Sequence, residues 1–275
     1  MERLVHVVPL GWEKDRAVRP ILEMKAHRVY LLSRTDSPHN NRFITLARKG
    51  LAEEVEEDEV RLVEIDASRE FESVLLNVSR TIVTESEAGS RVHLNMSASG
   101  KIAAAAATVA GMYHYARLGR LYYSLQEAYT VLQPDPAAKF HDHGLSIGYT
   151  GTRTLPRFPL YRPKEACIHA LAALYEKGPL TLLELMKELR RRGIEPFDDL
   201  PDIKAARKQR GEQGEKDLLA WSAKLRRLVL KDLQPAFVRL TPRGDGGKVR
   251  VVLQPDGEFQ ALVSGLVKEL KPAAR

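Results

Sequence analysis

The residues best suited to chemistry sit in short polar turns that follow apolar runs. The fullest is NMSASGK, Asn95–Lys101, between the run RVHLNM and the alanine-rich KIAAAAATVAGM. Ser97 and Ser99 bring hydroxyl donors, Ala98 and Gly100 keep the backbone approachable, and Lys101 brings a positive charge. At a helix start, free N–H groups and the helix dipole favour an anion, so the turn could cradle a phosphate. A serine simply capping an ordinary strand-to-helix turn would read the same way. Two more turns follow apolar runs, PLGWEKDR with Gly11, Trp12 and Glu13, and SRTDSPHNN with Arg34. Ser33, Arg34, Thr35 and Asp36 either line a nucleotide site or turn the chain. His141 and His143 of HDH have the spacing of a two-histidine metal clip, but zinc needs three or four ligands and the chain has one cysteine, so no metal is expected. GxxxxGK[ST] and GxGxxG after the first run are both absent, and no nicotinamide, flavin or other cofactor is expected.

These turns need a scaffold that brings them together, and the first half of the chain predicts one. VHVVPL, RVYLLS, VRLVEI, RVHLNM and LYYSL read as buried strands, with SIGYT as a possible sixth. Between them lie helical patterns around Trp12–Met24, Phe43–Leu51, Phe71–Val83 and Lys101–Leu118. Strand–helix alternation makes βαβ units and a doubly wound, mostly parallel, Rossmann-like sheet. Ligands of such sheets bind beyond the carboxyl ends of the strands at the switch point, where all three turns would lie. His6 and His93 fall inside strands and read as core or site-wall residues.

Charge divides the chain. Residues 1–150 hold 18 Lys and Arg against 20 Asp and Glu, and residues 151–275 hold 25 against 16. The contrast suggests two domains with different partners, the second a polyanion. A single cysteine, Cys167, excludes an intrachain disulfide and makes a reducing cytoplasm the default. No run of roughly 18 apolar residues is present, so no membrane span is expected.

Residues 1–150 are read as the α/β domain, 151–163 as a linker and 164–275 as a second domain. KEACIHALAALYEKG, TLLELMKELRRRG with Thr181 as N-cap, and KDLLAWSAKLRRLVLKD read as three helices. At 100° per residue the third places Leu218, Trp221, Leu225, Leu228 and Val229 on one side. Lys216, Lys224, Arg227 and Lys231 fall opposite, with Arg226 on a flank. FVRLTPRGDGGKVRVVL reads as a β-hairpin whose basic residues are Arg243 and Lys248 at the tip and Arg250 on the returning strand. A closing helix is expected over Gly257–Leu270. Three helices and a hairpin in this order predict a winged helix-turn-helix that binds double-stranded DNA, the third helix in a major groove and the wing on phosphates. The roughly twenty residues between the second and third helices exceed the tight turn expected there.

With both halves placed, the chain resembles the archaeal regulators that join a CRISPR-associated Rossmann-like (CARF) domain to a C-terminal winged helix. The resemblance rests on VHVVPLGWEKDR, on NMSASGK and on the domain order, and it covers nearly the whole chain. It implies a ligand site at Gly11, Trp12, Glu13, Asn95, Ser97, Ser99, Gly100 and Lys101, with SASG standing where a Gly-Gly pair is common. It also implies a homodimer through the N-terminal domains, with a cyclic oligoadenylate, most often the tetra-adenylate, bound across the dimer axis. A ligand-responsive transcriptional regulator follows. The alternative is a slow, metal-independent ring nuclease in which Lys101 and Ser99 stabilise the reacting phosphate. No histidine lies in the turn to act as its base.

Overall fold

A computed structural model describes residues 2–156, 158, 160–200, 212–243 and 247–271, and of 212–218, 242–243 and 247–248 it describes the backbone alone. The side chains of Lys216, Arg243 and Lys248 therefore lie outside the described residues, as do residues 201–211 of the basic segment. The chain forms two compact units, one reaching Leu160 and the other beginning at Tyr161.

In the first unit, β1 (Leu4–Pro9), β2 (Arg28–Ser33), β3 (Val60–Glu64), β4 (Arg91–Asn95) and β5 (Leu118–Leu125) run parallel. The sheet order is β3-β2-β1-β4-β5-β8, where β8 (Gly151–Thr154) pairs antiparallel with β5. Val5, Val7 and Val8 of β1 are fully buried, each contributing about 1.5–3 kcal/mol by leaving water. The helices α1 (Lys14–Glu23) and α2 (Pro38–Leu51) pack together, as do α3 (Glu70–Glu87) and α4 (Lys101–Tyr113). The chain winds from β1 toward β3 and then returns to β4 and β5. Right-handed crossovers therefore put α1 and α2 on one face and α3 and α4 on the other. Ala103, Ala106, Ala107 and Ala110 are buried on α4, and their small side chains allow the close approach of α3. This is a Rossmann-like doubly wound sheet with its switch point between β1 and β4.

Three expectations change here. Residues 151–154, placed in the linker 151–163 for its arginines, prolines and lack of periodicity, are the sixth strand of the sheet. SIGYT contributes only β7 (Ser146–Ile147), which pairs with β6 (Ala128–Tyr129) outside the main sheet. The α4 helix stops at Tyr113 because a 3-10 turn over Tyr115–Arg117 leads directly into β5. A further helix, α5 (Pro136–His143), carries HDH.

The second unit contains α6 (Glu165–Lys177), β9 (Leu180–Thr181), α7 (Leu182–Arg191) and α8 (Glu212–Leu225). Then come β10 (Val238–Arg243), β11 (Gly247–Leu253) and α9 (Pro255–Val263). A reciprocal capping box between Thr181 and Glu184 starts α7. The hairpin β10–β11 gains a third antiparallel strand from β9, giving the order β10-β11-β9. The α8 helix continues through a π-helical turn, Arg226–Leu230, into a last turn over Lys231–Leu233. The wider turn rotates the later residues away from the 100° spacing. Leu228 is therefore only half-buried, while Leu230 and Leu233 join Leu225 and Val229 in the core. The Cys167 thiol donates to the Leu228 and Val229 carbonyls within that turn, at 3.8 and 3.7 Å, and burial raises its pKa to about 11. The closing helix ends at Val263, and Gly265 follows with φ +75°. Among the described residues no helix is long and apolar enough to cross a membrane.

Candidate ligand cleft

The three turns meet at the switch point because their backbones are bonded to one another. Leu10 N donates to Leu32 O (2.7 Å), the Ser33 hydroxyl donates to Leu10 O (2.8 Å), and Gly11 N donates to Ala98 O (2.7 Å). Above these bonds lies a cleft of about 330 Å³. Gly11, Trp12, Glu13, Arg34, Ser99 and Gly100 all line it.

Asn95, Ser97 and Ala98 lie beneath the cleft. Asn95 is fully buried; its Oδ1 accepts from Ser97 N (3.0 Å) and Ser97 Oγ (2.6 Å), and its Nδ2 donates to Arg16 O (2.8 Å). Ser97 Oγ in turn accepts from Ser124 N (2.9 Å). These residues spend their polar atoms on shaping the turn. Lys101 is exposed at the first helical position of α4, with no salt bridge among the described residues.

Neither serine caps α4. Its N-cap is Gly100, with φ −64° and ψ 165° and no side-chain bond to the first-turn amides. Those N–H groups have no intrahelical acceptor by construction, and they open beside a cleft that Gly100 and Ala103 line. A Cβ added at Gly100 would meet no atom within 4 Å, so the protein itself does not require glycine at this position.

The side-chain charges of the cleft are mixed. Glu13 is buried, and burial pushes its pKa up against the opposing effects of the Ser146 hydroxyl, which donates to it, and of Arg16 at 3.3 Å. Arg34 forks onto Asp36 (3.2 and 2.7 Å), and this bonding holds the guanidinium above and the carboxyl below their usual values. Glu70 stands 3.9 Å from Arg34. Anion binding here would therefore fall mainly to backbone amides, since Lys101, next to Gly100, does not itself line the cleft.

Sequence reasoning missed Asn40, Ile65, Glu70, Val74, Ala103 and Leu145, which also line the cleft. Asn40 belongs to the turn SRTDSPHNN but carries no charge to single it out, and the others sit where apolar or acidic periodicity reads only as core or surface. His141 bonds Asp142 (2.9 Å) and the Arg42 side chain, whereas His143 turns to Asp15 (3.0 Å). Among the described residues no group of three His, Cys, Asp or Glu could hold a metal. His6 and His93 face each other across β1 and β4 with ring centres 5.1 Å apart, and His6 Nδ1 bonds the Tyr122 hydroxyl at 3.0 Å.

In the second unit, Arg226, Arg227 and Lys231 are exposed along the π turn and the last turn of α8. Lys224 is half-buried, its ammonium 4.3 Å from the Trp221 ring centre. Arg250 is half-buried on β11, opposite Thr181.

Among known proteins, the family described as HFX_2341_N:-like, N-terminal matches residues 4–129. No curated protein matches the chain. Among solved structures, Csm6 of Enterococcus italicus, bound to cyclic hexa-2′-fluoro-hexa-dAMP, is 12% identical with a TM-score of 0.39. The match covers 85% of this chain and 58% of that one. Protein VC1899 of Vibrio cholerae is 12% identical with a TM-score of 0.35, covering 96% of this chain and 66% of that one. The chain thus spans less than two thirds of either structure.

Proposed function

We propose that this chain is a ligand-responsive, DNA-binding transcriptional regulator. In this reading the first unit is a CARF-type sensor for a cyclic oligoadenylate, the tetra-adenylate foremost, bound across a cytoplasmic homodimer as in CRISPR-linked regulators of archaea. The second unit is a winged helix-turn-helix. The observation that carries the reading is the uncapped α4 N-terminus opening into a cleft at the β1–β4 switch point. A phosphate ring needs clustered backbone donors, and a two-fold dimer presents them twice. In the second unit, α7, α8 and the three-stranded sheet follow the order of a winged helix, and β9 supplies the short first strand of such a sheet. Arg226, Arg227 and Lys231 would meet phosphates, with Lys216, Arg243, Lys248 and Arg250 extending the contact.

The sensor half predicts opposite signs from one substitution. Gly100→Asp places a good N-cap where a Cβ has room, so stability holds or rises by a few tenths of a kcal/mol. The same carboxylate occupies the amides and repels an anion, so cyclic tetra-adenylate binding by calorimetry falls at least tenfold. Wild-type affinity in a stable Gly100→Asp protein would remove the amides from the site.

For the effector half, the double change Arg226→Ala with Arg227→Ala weakens binding to duplex DNA and lowers the steepness of its salt dependence by about 2. Cyclic tetra-adenylate changes the affinity of the wild type, because the ligand favours one dimer arrangement over another. Mobility shifts unchanged by both the substitutions and the ligand would defeat this half of the reading.

Slow ring cleavage is the second reading, favoured by Glu13, a buried carboxyl with a raised pKa in the same cleft. It would take the proton from a ribose 2′-hydroxyl, whose oxygen attacks the adjacent phosphorus to form a 2′,3′-cyclic phosphate and expel the 5′-oxygen, which then takes that proton back as a hydroxyl, while Lys101 and Ser99 stabilise the phosphate. Chromatography of labelled ligand after long incubation decides it, and an intact ring excludes it.

A further inference from the structure

Trp12 is a large aromatic side chain left 38% exposed in the wall of the cleft, yet it is held firmly. Its indole N–H donates to Asn40 Oδ1 at 2.8 Å, and Asn40 Nδ2 donates to Asp36 Oδ1 at 3.2 Å. Phe140 meets the indole at an interplanar angle of 86°, with ring centres 5.9 Å apart, and His39 meets it at 53° and 5.8 Å. Its carbonyl accepts from Leu145 N at 2.8 Å. The neighbouring rings thus brace the indole at steep angles, and among the described residues none stacks coplanar on it. The ring contacts of the buried part support the fold, whereas the exposed part of the indole is free to meet a ligand, and a fixed plane loses little entropy when a flat ligand settles on it. The same cleft carries the uncapped amides of α4. A ligand with a flat ring and an attached phosphate would meet both.

We propose that Trp12 is the platform on which a nucleobase of the cleft's ligand stacks, making it the residue that reads the base as opposed to the phosphate. This rests on reading the cleft as a nucleotide site, so the experiment separates the two. The chain has two tryptophans, Trp12 and Trp221. In a Trp221→Phe background, cyclic tetra-adenylate is titrated while Trp12 fluorescence is followed. In parallel, calorimetry measures binding by the otherwise wild-type protein and by its Trp12→Phe and Trp12→Ala variants. Stacking gives saturable quenching of Trp12, a loss of about 10–100-fold in affinity for Trp12→Ala, and retention of most of the affinity for Trp12→Phe. Circular dichroism melts confirm that each variant is folded, and the calorimetric arm needs no change at Trp221. Heat of binding without quenching, with Trp12→Ala as tight as wild type, overturns the platform and leaves the nucleotide site standing. No heat and no quenching with the wild type overturns both.

Discussion

Gly144→Ala lowers the melting temperature of the first unit by about 10 °C. Gly144 adopts φ +96° and ψ −145°, a region open essentially to glycine alone, so alanine there costs on the order of 1–3 kcal/mol in backbone strain. The added methyl would also stand 1.9 Å from the Trp12 carbonyl oxygen and 3.0 Å from the Phe43 ring. Relief requires the loop to move off Trp12, breaking the Leu145 N to Trp12 O bond at a cost of about 1 kcal/mol. A total near 2–4 kcal/mol, at about 2–4 °C per kcal/mol for a unit of this size, brackets the expected shift. Thermal melts followed by circular dichroism measure it. A shift of under about 3 °C would mean that the contact between this loop and the turn after β1 is not part of the folded structure in solution.

Acid weakens the first unit between about pH 6.5 and pH 5, and His6 and His93 together are the cause. Burial, then His93, then Arg120 hold its pKa down at about 3, and burial with Arg120 and Arg91 holds His93 at about 4. Both are neutral in the folded protein at pH 5. The unfolded chain takes up protons there and the folded chain does not, so stability falls as pH drops from about 6.5 toward the folded values. For His6 alone the linkage amounts to about 2 kcal/mol between pH 6.5 and pH 5, as an order of magnitude. Above about 6.5 neither histidine makes stability depend on pH. His6→Phe fills a similar space with nothing to titrate. Its urea midpoint is lower at pH 7 for want of the Tyr122 bond, but with only His93 left to take up protons it falls about half as far between pH 7 and pH 5. Equal falls in both proteins would clear His6 of the effect.

Much of the scaffold could be read from the sequence because its signals are local. Buried parallel strands are rich in β-branched and other apolar residues, and VHVVPL and RVYLLS carry short apolar stretches while RVHLNM alternates Val92, Leu94 and Met96 with polar residues. The location of the cleft followed, since strand order fixes where carboxyl ends meet. What stayed hidden depends on direction and on partners. Spacing cannot tell that the Asn95 amide turns inward to Ser97 and Arg16 while Ser99 faces the cleft. An edge strand such as β8, with its Gly, Thr and Arg, has the composition of a loop. The two residues of β9 are too few for any periodicity. The π turn meets α6 through the Cys167 thiol, and the extra residue in its turn defeats angular sorting beyond it. Leu145 and Glu70 reach the cleft from elements far away in sequence, with no motif to mark them.

The thiol that closes the π turn also makes the second unit its own clock. Cys167 is the chain's single cysteine, fully buried and kept protonated far above neutral pH. A disulfide reagent in solution can reach it only when α6 and α8 part, and then only its thiolate fraction reacts. The labelling rate under native conditions therefore counts the openings of the second unit alone. Whatever tightens or loosens that unit, whether bound DNA or a ligand in the other half of the chain, can be timed through one sulfur atom without altering a residue.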